Sequence, residues 1–367
     1  MTAETASTTG SAPTAPTAAA TGGAAAPLAT NVHDCALVFE GGGFRASYTA
    51  GIVNVLLDQH IYFDYVCGLS AGASHTVDYV SRDRVRVRRS FIDFATLPDK
   101  GGLRSILRGK GYFDAEYDYT GCIEDGYLPF DWETFSRNPA EVAFQSFDGA
   151  TGETVVFHKR DCTDAETMAT YVRMSSTLPG FMHPVSLGGH RMFDGGLGEG
   201  AGIPTVMAER DGYEKFLFVA TRPFGYRKTA PVGAYRQLLE RARVRYPVLA
   251  QALLDRWARY NIALEHMLDL ERQGRALIIR PELMPVRSTT QDAGLLRDAY
   301  LLGYDQGVRE LPRIRAFLFG APDAGPAPTR EEWLRDLEAD ARALAQPLDA
   351  PTVDPLTEEV GEYVTLG

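Results

Sequence analysis

Long hydrophobic runs are missing from this chain of 367 residues. No window approaches the roughly 18 consecutive apolar residues that a membrane-spanning helix needs, so the sequence predicts no helical span. Cysteine is scarce: Cys35, Cys67, Cys122 and Cys162 are the only four, and no two stand in a C-x-x-C pair. That spacing excludes the common zinc and redox motifs and leaves reduced thiols packed as small hydrophobes, as a cytoplasmic location would have them. Positive charge is in deficit, with 37 Lys and Arg against 48 Asp and Glu. The net charge of −11 argues against a nucleic-acid partner and against general adhesion to anionic membranes. Residues 1–30 are almost wholly Ala, Thr, Gly, Ser and Pro, with Glu4 their only charge. They lack the basic and apolar regions of a signal peptide and read as a disordered tail.

What is present begins with one basic stretch. From Arg82 to Lys110, nine basic residues meet only Asp83, Asp93 and Asp99. A solvated face explains such a run, and contact with anionic head groups at a membrane surface is its sharper alternative. The 45% hydrophobic content supports a sizeable core, in two domains or in one enlarged α/β domain.

The chain then organises itself into strand-to-helix units. Residues 35–40 (CALVFE) suit a buried strand, three glycines follow, and Ile52, Val55 and Leu56 have helical spacing. A second unit runs from FDYVC (63–67) through GLSAG into another helix. Two such units in under about fifty residues imply crossovers and a parallel sheet covered on both faces. Hairpins are expected around DGATG (148–152) and at Gly188–Gly189, the second running its outgoing strand into Asp194. Pro204 opens a helix ahead of an apolar strand, KFLFVATRP (215–223), and ALIIRP (276–281) supplies one more. Residues 226–320 read as a mainly helical extension broken at Pro247, and 321–367 as a linker, a helix capped by Thr329 and Glu332, and an acidic tail.

Three motifs carry chemistry. EGGGFRA (40–46) matches a dinucleotide fingerprint through Gly41, Gly43 and Ala46, yet the next strand ends on Cys67 and Gly68 instead of a ribose-binding carboxylate. No lysine follows the glycines, so they are no P-loop either. Gly68-Leu69-Ser70-Ala71-Gly72 is the G-x-S-x-G of a nucleophile elbow, where a side chain at either glycine would collide with neighbouring segments. A serine attacking a carbonyl creates an oxyanion, and the backbone amides of Gly41, Gly42 and Gly43 are ready donors at the same sheet edge. The serine needs a base. The sole histidine after Asp194 is His266, inside a helical run, and His75 belongs to the helix after the elbow. Asp194, in FDGG with Gly195 and Gly196 beside it, is the carboxylate that remains, although by itself it would read as a turn aspartate.

These motifs together, EGGGFRASYTAG (40–51), GLSAG (68–72), STLPGFMHPV (176–185) and DGG (194–196), resemble the bacterial patatin-like phospholipases over roughly residues 36–224. Ala46 departs from the glycine usual in that family. The resemblance implies a three-layer α/β/α fold with a mostly parallel sheet, residues 31–225 as catalytic domain, and a C-terminal helical extension. It also implies a Ser70–Asp194 dyad with an oxyanion hole at Gly41–Gly43 and no metal or cofactor. Arg45 would brace the glycine loop through its carbonyls or meet an anionic head group. The expected substrate is a lipid or other ester, with Phe181, Met182, Val185 and Leu187 as candidate acyl-chain lining. A general carboxylesterase, an acyltransferase and a non-catalytic membrane-surface scaffold are the alternatives.

Overall fold

The computed structural model describes residues 28–94 and 114–320. The tail over residues 1–27, the basic run from 95 to 110 and everything after 320, including the Thr329 cap, lie outside the described residues. In chain order the principal elements are β1 (Ala36–Phe39), α1 (Ala46–Asp58), β2 (Tyr65–Gly68), α2 (Ala71–Val80), α3 (Arg84–Phe91) and α4 (Trp132–Arg137). There follow β3 (Glu141–Asp148), β4 (Thr154–His158), α5 (Ala165–Ser176), β5 (Val185–Leu187), β6 (His190–Asp194), α6 (Thr205–Arg210) and β7 (Phe216–Val219). The last four are α7 (Gly233–Ala242), α8 (Pro247–Arg272), β8 (Ala276–Ile279) and α9 (Ala293–Phe319).

One sheet runs through the molecule in the order β5-β6-β3-β2-β1-β7-β8, with β4 paired to β3. Strands β3, β2, β1, β7 and β8 are parallel, while β4 and β6 pair antiparallel with β3. Alternation along β1 sorts its side chains to two cores. Leu37 and Phe39 join Ile52, Val55 and Tyr300 under α1 and α9, whereas Ala36 and Val38 join Met207, Tyr260, Met267 and Leu270 under α6 and α8. Helices therefore cover both faces, which is the expected three-layer α/β/α arrangement. The C-terminal helices are present as expected, but they are not an appendage. Strand β8 extends the main sheet, and α9 crosses α1 so closely that a Cβ on Gly303 would lie 2.0 Å from the Tyr48 carbonyl oxygen.

The expected turns are formed. Gly188 and Gly189 take φ values of 59° and 87° between β5 and β6, the positive pair that a primed two-residue hairpin demands. Pro247 starts α8 instead of kinking a longer helix, as a residue without an amide hydrogen does at a first turn.

The described half of the basic stretch is engaged within the fold. Arg84 Nη2 donates to Asp58 Oδ2 at 2.8 Å, Arg86 Nε to Asp78 Oδ1 at 2.8 Å, and Arg89 Nη2 to the Tyr127 carbonyl at 3.1 Å. Arg82 bonds the Ala29 carbonyl, and Arg88 is buried. Among the described residues, these arginines thus tie α3 to its neighbours.

Candidate active site

The register of β3 brings the sequence motifs to one place. β4 occupies one edge of β3 along Ala143–Phe147, so β2 and β6 must share the other. β2 pairs as far as Gly68↔Phe144, and β6 takes over at Ser146↔Asp194. Asp194 therefore sits on the edge that β2 vacates where the chain turns through Ser70. Both Ser70 and Ser146 stand two residues beyond the last β2–β3 pair. The end of α5 fastens the two loops: the Ser70 amide donates to Ser175 Oγ at 2.9 Å, and the Asp194 amide to the Thr177 carbonyl at 2.8 Å.

Ser70 is strained. Its φ of 54° and ψ of −129° lie outside the regions that non-glycine residues normally adopt, so the surrounding packing must hold it there. The two glycines of the motif are that packing. A Cβ on Gly68 would lie 2.2 Å from the Gly72 carbonyl oxygen, and one on Gly72 would lie 2.4 Å from that of Phe39.

The glycine loop lies alongside. A Cβ on Gly41 would sit 3.3 Å from Ser70 Cβ, and Gly43 has a φ of 55°. The Gly41 amide already donates to the Gly202 carbonyl at 3.2 Å, which removes it from the three donors expected of this loop. Among the described residues, no acceptor meets the amides of Gly42, Gly43 or Ala71.

Arg45 is 8% exposed, and none of its nitrogens hydrogen-bonds a loop carbonyl among the described residues, so the expected brace is not made that way. Burial and the neighbouring Arg222 charge lower its pKa to about 10, with Glu40 opposing. The brace is Glu40, which the sequence reading did not single out. This carboxylate, 2% exposed at the end of β1, accepts the Tyr260 hydroxyl at 2.6 Å and the Thr221 amide at 2.6 Å.

Residues beyond the motifs complete the enclosure. Arg259 Nη1 donates to the Gly198 carbonyl at 2.8 Å, and the Phe44 amide donates to the Ser288 carbonyl at 3.1 Å. A Cβ on Gly196 would meet both Arg256 Nη2 at 2.5 Å and Asp194 Oδ1 at 2.7 Å, while one on Gly195 would strike the Gln145 carbonyl at 2.2 Å. Burial and the charge of Arg256 hold the Lys228 ammonium well below its ordinary pKa. α8 thus supplies Tyr260, Arg259 and Arg256 to the loops of the site, and no local motif announces them.

Asp194 is 2% exposed, and its Oδ1 accepts the Gly196 amide at 2.7 Å. Among the described residues, neither its other oxygen nor the Ser70 hydroxyl has a hydrogen-bond partner. His266 and His75 are elsewhere. His266 pairs with Glu209 at 2.6 Å on the surface, and His75 Nε2 donates to the Ala46 carbonyl at 2.9 Å beneath α1. A cavity of about 150 Å³ opens beside Ser70, lined by Val77, Phe91, Met168, Val172, Leu178 and Met182. Of the acyl-lining candidates read from the sequence, Met182 faces this cavity, Val185 packs on the core, and Leu187 is exposed on the β5–β6 hairpin.

The mostly parallel α/β sheet thus carries a serine on a strained strand-to-helix turn beside a mostly apolar cavity at the carboxyl ends of its strands, the place where open α/β sheets bind their ligands. Residues 37–207 match the family model of the patatin-like phospholipases, so the chain carries a patatin-like phospholipase domain. Residues 246–319 match a second model, a domain of unknown function (DUF6363). Among curated proteins, the uncharacterized protein YjjU of Escherichia coli (strain K12) is 26% identical over 201 residues, covering 51% of this chain and 52% of that protein. The chain thus spans about half the length of that relative. Among solved structures, VipD from Legionella pneumophila aligns with a TM-score of 0.42 and 14% identity over 75% of this chain and 66% of that one.

Proposed function

We propose that the chain hydrolyses carboxylic esters of lipids, in the manner of a phospholipase A or lysophospholipase. Ser70 is the nucleophile, Asp194 the general base, and the amides of Gly42 and Gly43, with that of Ala71, the oxyanion donors. The observation that carries the reading is a strained Ser70 between a glycine loop with unspent amides and an apolar cavity. The acyl chain lies in the cavity with its carbonyl carbon at Ser70 Oγ. As Oγ attacks, its proton passes to Asp194, and the carbonyl oxygen takes up negative charge among the amides. The proton then goes to the departing alkoxide, leaving an acyl-enzyme. Water, deprotonated by Asp194, attacks the acyl carbon, the Ser70 oxygen leaves and is reprotonated, and a free fatty acid results. No step calls for a metal or cofactor.

Base assistance is worth about a hundred- to ten-thousandfold, and each oxyanion donor about a hundred- to thousandfold. Ser70→Ala should therefore reduce hydrolysis of a p-nitrophenyl ester to background and abolish labelling by a fluorophosphonate. Equal turnover by the variant would refute the assignment. Rates that rise from acetyl to longer acyl esters separate a lipid hydrolase from a general esterase, whose rates stay flat.

A further inference from the structure

We propose that α7 and its flanks, residues 232–246, form a membrane-docking surface that seats the site on an anionic lipid bilayer. The helix is poorly covered: of its ten residues only Leu239 is buried. A helix of this length is marginal without a surface to pack on. Its composition specifies which surface. Val232, Tyr235, Leu238, Leu239 and Ala242 recur at the three- and four-residue spacing of one helical stripe; Leu239 at its centre is buried and seats the helix on the fold, while Val232, Tyr235 and Leu238 along its margins are exposed, as are Val244 and Tyr246 just beyond.

Arginines flank that stripe. Arg236, Arg241, Arg243 and Arg245 stand against Glu240 alone in a chain whose net charge is −11. Glu240 is shared between Arg243 at 3.1 Å and Arg236 at 3.8 Å, whereas Arg241 and Arg245 have no carboxylate partner among the described residues. An apolar stripe bordered by guanidinium groups, with tyrosines at both ends, suits the boundary between head groups and acyl chains. There the exposed margins, Val232, Tyr235, Leu238, Val244 and Tyr246, are immersed while the arginines reach lipid phosphates.

Position favours the same occupant. α7 packs on α8, whose Arg256 guanidinium abuts Gly196 beside Asp194. The exposed face therefore adjoins the catalytic loops, where an enzyme drawing an acyl chain from a bilayer needs its contact. The binding itself does not depend on the hydrolase reading, although its purpose rests on it.

The test is co-sedimentation of the full chain with vesicles of phosphatidylcholine alone and of phosphatidylcholine with phosphatidylglycerol. The expected result is binding to the anionic vesicles that weakens in high salt. It should fall at least tenfold in Tyr235→Ser/Leu238→Asp, and also in Arg241→Glu/Arg245→Glu. Both variants should keep parental turnover of a water-soluble short-chain ester. Ser70→Ala should bind vesicles like the parent, so loss of catalysis and loss of docking are read apart. Equal vesicle binding by the parent and both variants overturns the proposal, as does no binding by the parent. A parent that self-associates through this face, shown by light scattering and abolished by Leu238→Asp, overturns it in favour of a second copy of the chain.

Discussion

Acidification should destabilise this protein through His75, and the size of the effect follows from where the imidazole sits. The ring is fully buried between Phe39 and Phe91, with ring centroids 5.8 and 4.3 Å away. Its Nε2 donates to the Ala46 carbonyl, and its Nδ1 has no acceptor. A proton on Nδ1 would place an unsatisfied charge in an apolar pocket, and burial lowers the pKa from 6.5 to about 4, the Ala46 bond opposing. Between those values the unfolded chain binds the proton and the folded chain does not, so stability is lost as pH falls. With 1.36 kcal/mol per pKa unit, the loss is about 1.4 kcal/mol at pH 5.5 and roughly 3 kcal/mol at pH 4. Asp78, raised from 3.8 to about 6 by burial against the pull of Arg86, titrates with the opposite sign in the same window. The comparison is therefore with His75→Gln, which retains Asp78 and cannot titrate at position 75. Urea midpoints of the two proteins from pH 7 to pH 4 should diverge in favour of the variant, by roughly 1 M at the acid end. A gap that stays constant with pH refutes the account.

Two further outcomes probe the site. Tyr260→Phe leaves the buried Glu40 carboxylate one donor short, which should cost about 1–3 kcal/mol of stability and lower kcat with little change in KM. An unchanged kcat would show that the glycine loop does not depend on this strap. Val172→Trp, on α5 facing the cavity, should reduce kcat/KM for long-chain p-nitrophenyl esters by at least about tenfold while leaving the acetyl ester near the parental value. Equal losses at every chain length would place the acyl group elsewhere.

How much of this was legible in the residues depends on the range of the interaction. The elbow, the glycine run and the β5–β6 hairpin are local: Gly68 and Gly72 are glycines because backbone passes within 2.2–2.4 Å, and Gly188–Gly189 because both need positive φ. Strands β1, β2 and β8 lie within a residue or two of their expected bounds, since short, wholly buried apolar runs leave little ambiguity once helices separate them, whereas β7 ends at Val219, ahead of the Thr221–Pro223 stretch expected to continue it. Glu40 belongs to a local motif, but its anchoring role is invisible there because its partners Thr221 and Tyr260 lie far along the chain. The partners of the α3 arginines are hidden for the same reason. Counting charge along the sequence cannot reveal that Asp58 and Asp78 face them from other helices. The glycine run alone offers the Gly41 amide as a donor, whereas the carbonyl of the distant Gly202 accepts it.

The same long-range dependence bears on where the folding unit ends. A chain stopped at residue 225 would retain every catalytic motif and match the catalytic domain drawn from the sequence. It would also strip α9 from α1 and β8 from the edge of β7. On α9 alone, Leu296, Tyr300, Tyr304, Leu311, Ile314 and Leu318 are buried, and they share a core with Leu37, Phe39, Ile52 and Val55. At about 1.5–3 kcal/mol for each buried apolar side chain, their loss is on the order of 10 kcal/mol, as large as the whole stability of a typical domain. The shortened chain should aggregate on expression and should neither unfold cooperatively nor react with a fluorophosphonate. A soluble fragment of residues 28–225 with a cooperative transition and a labelled Ser70 would refute this reasoning. It would mean that α1 finds its cover without the helix that now crosses it at Gly51 and Gly303.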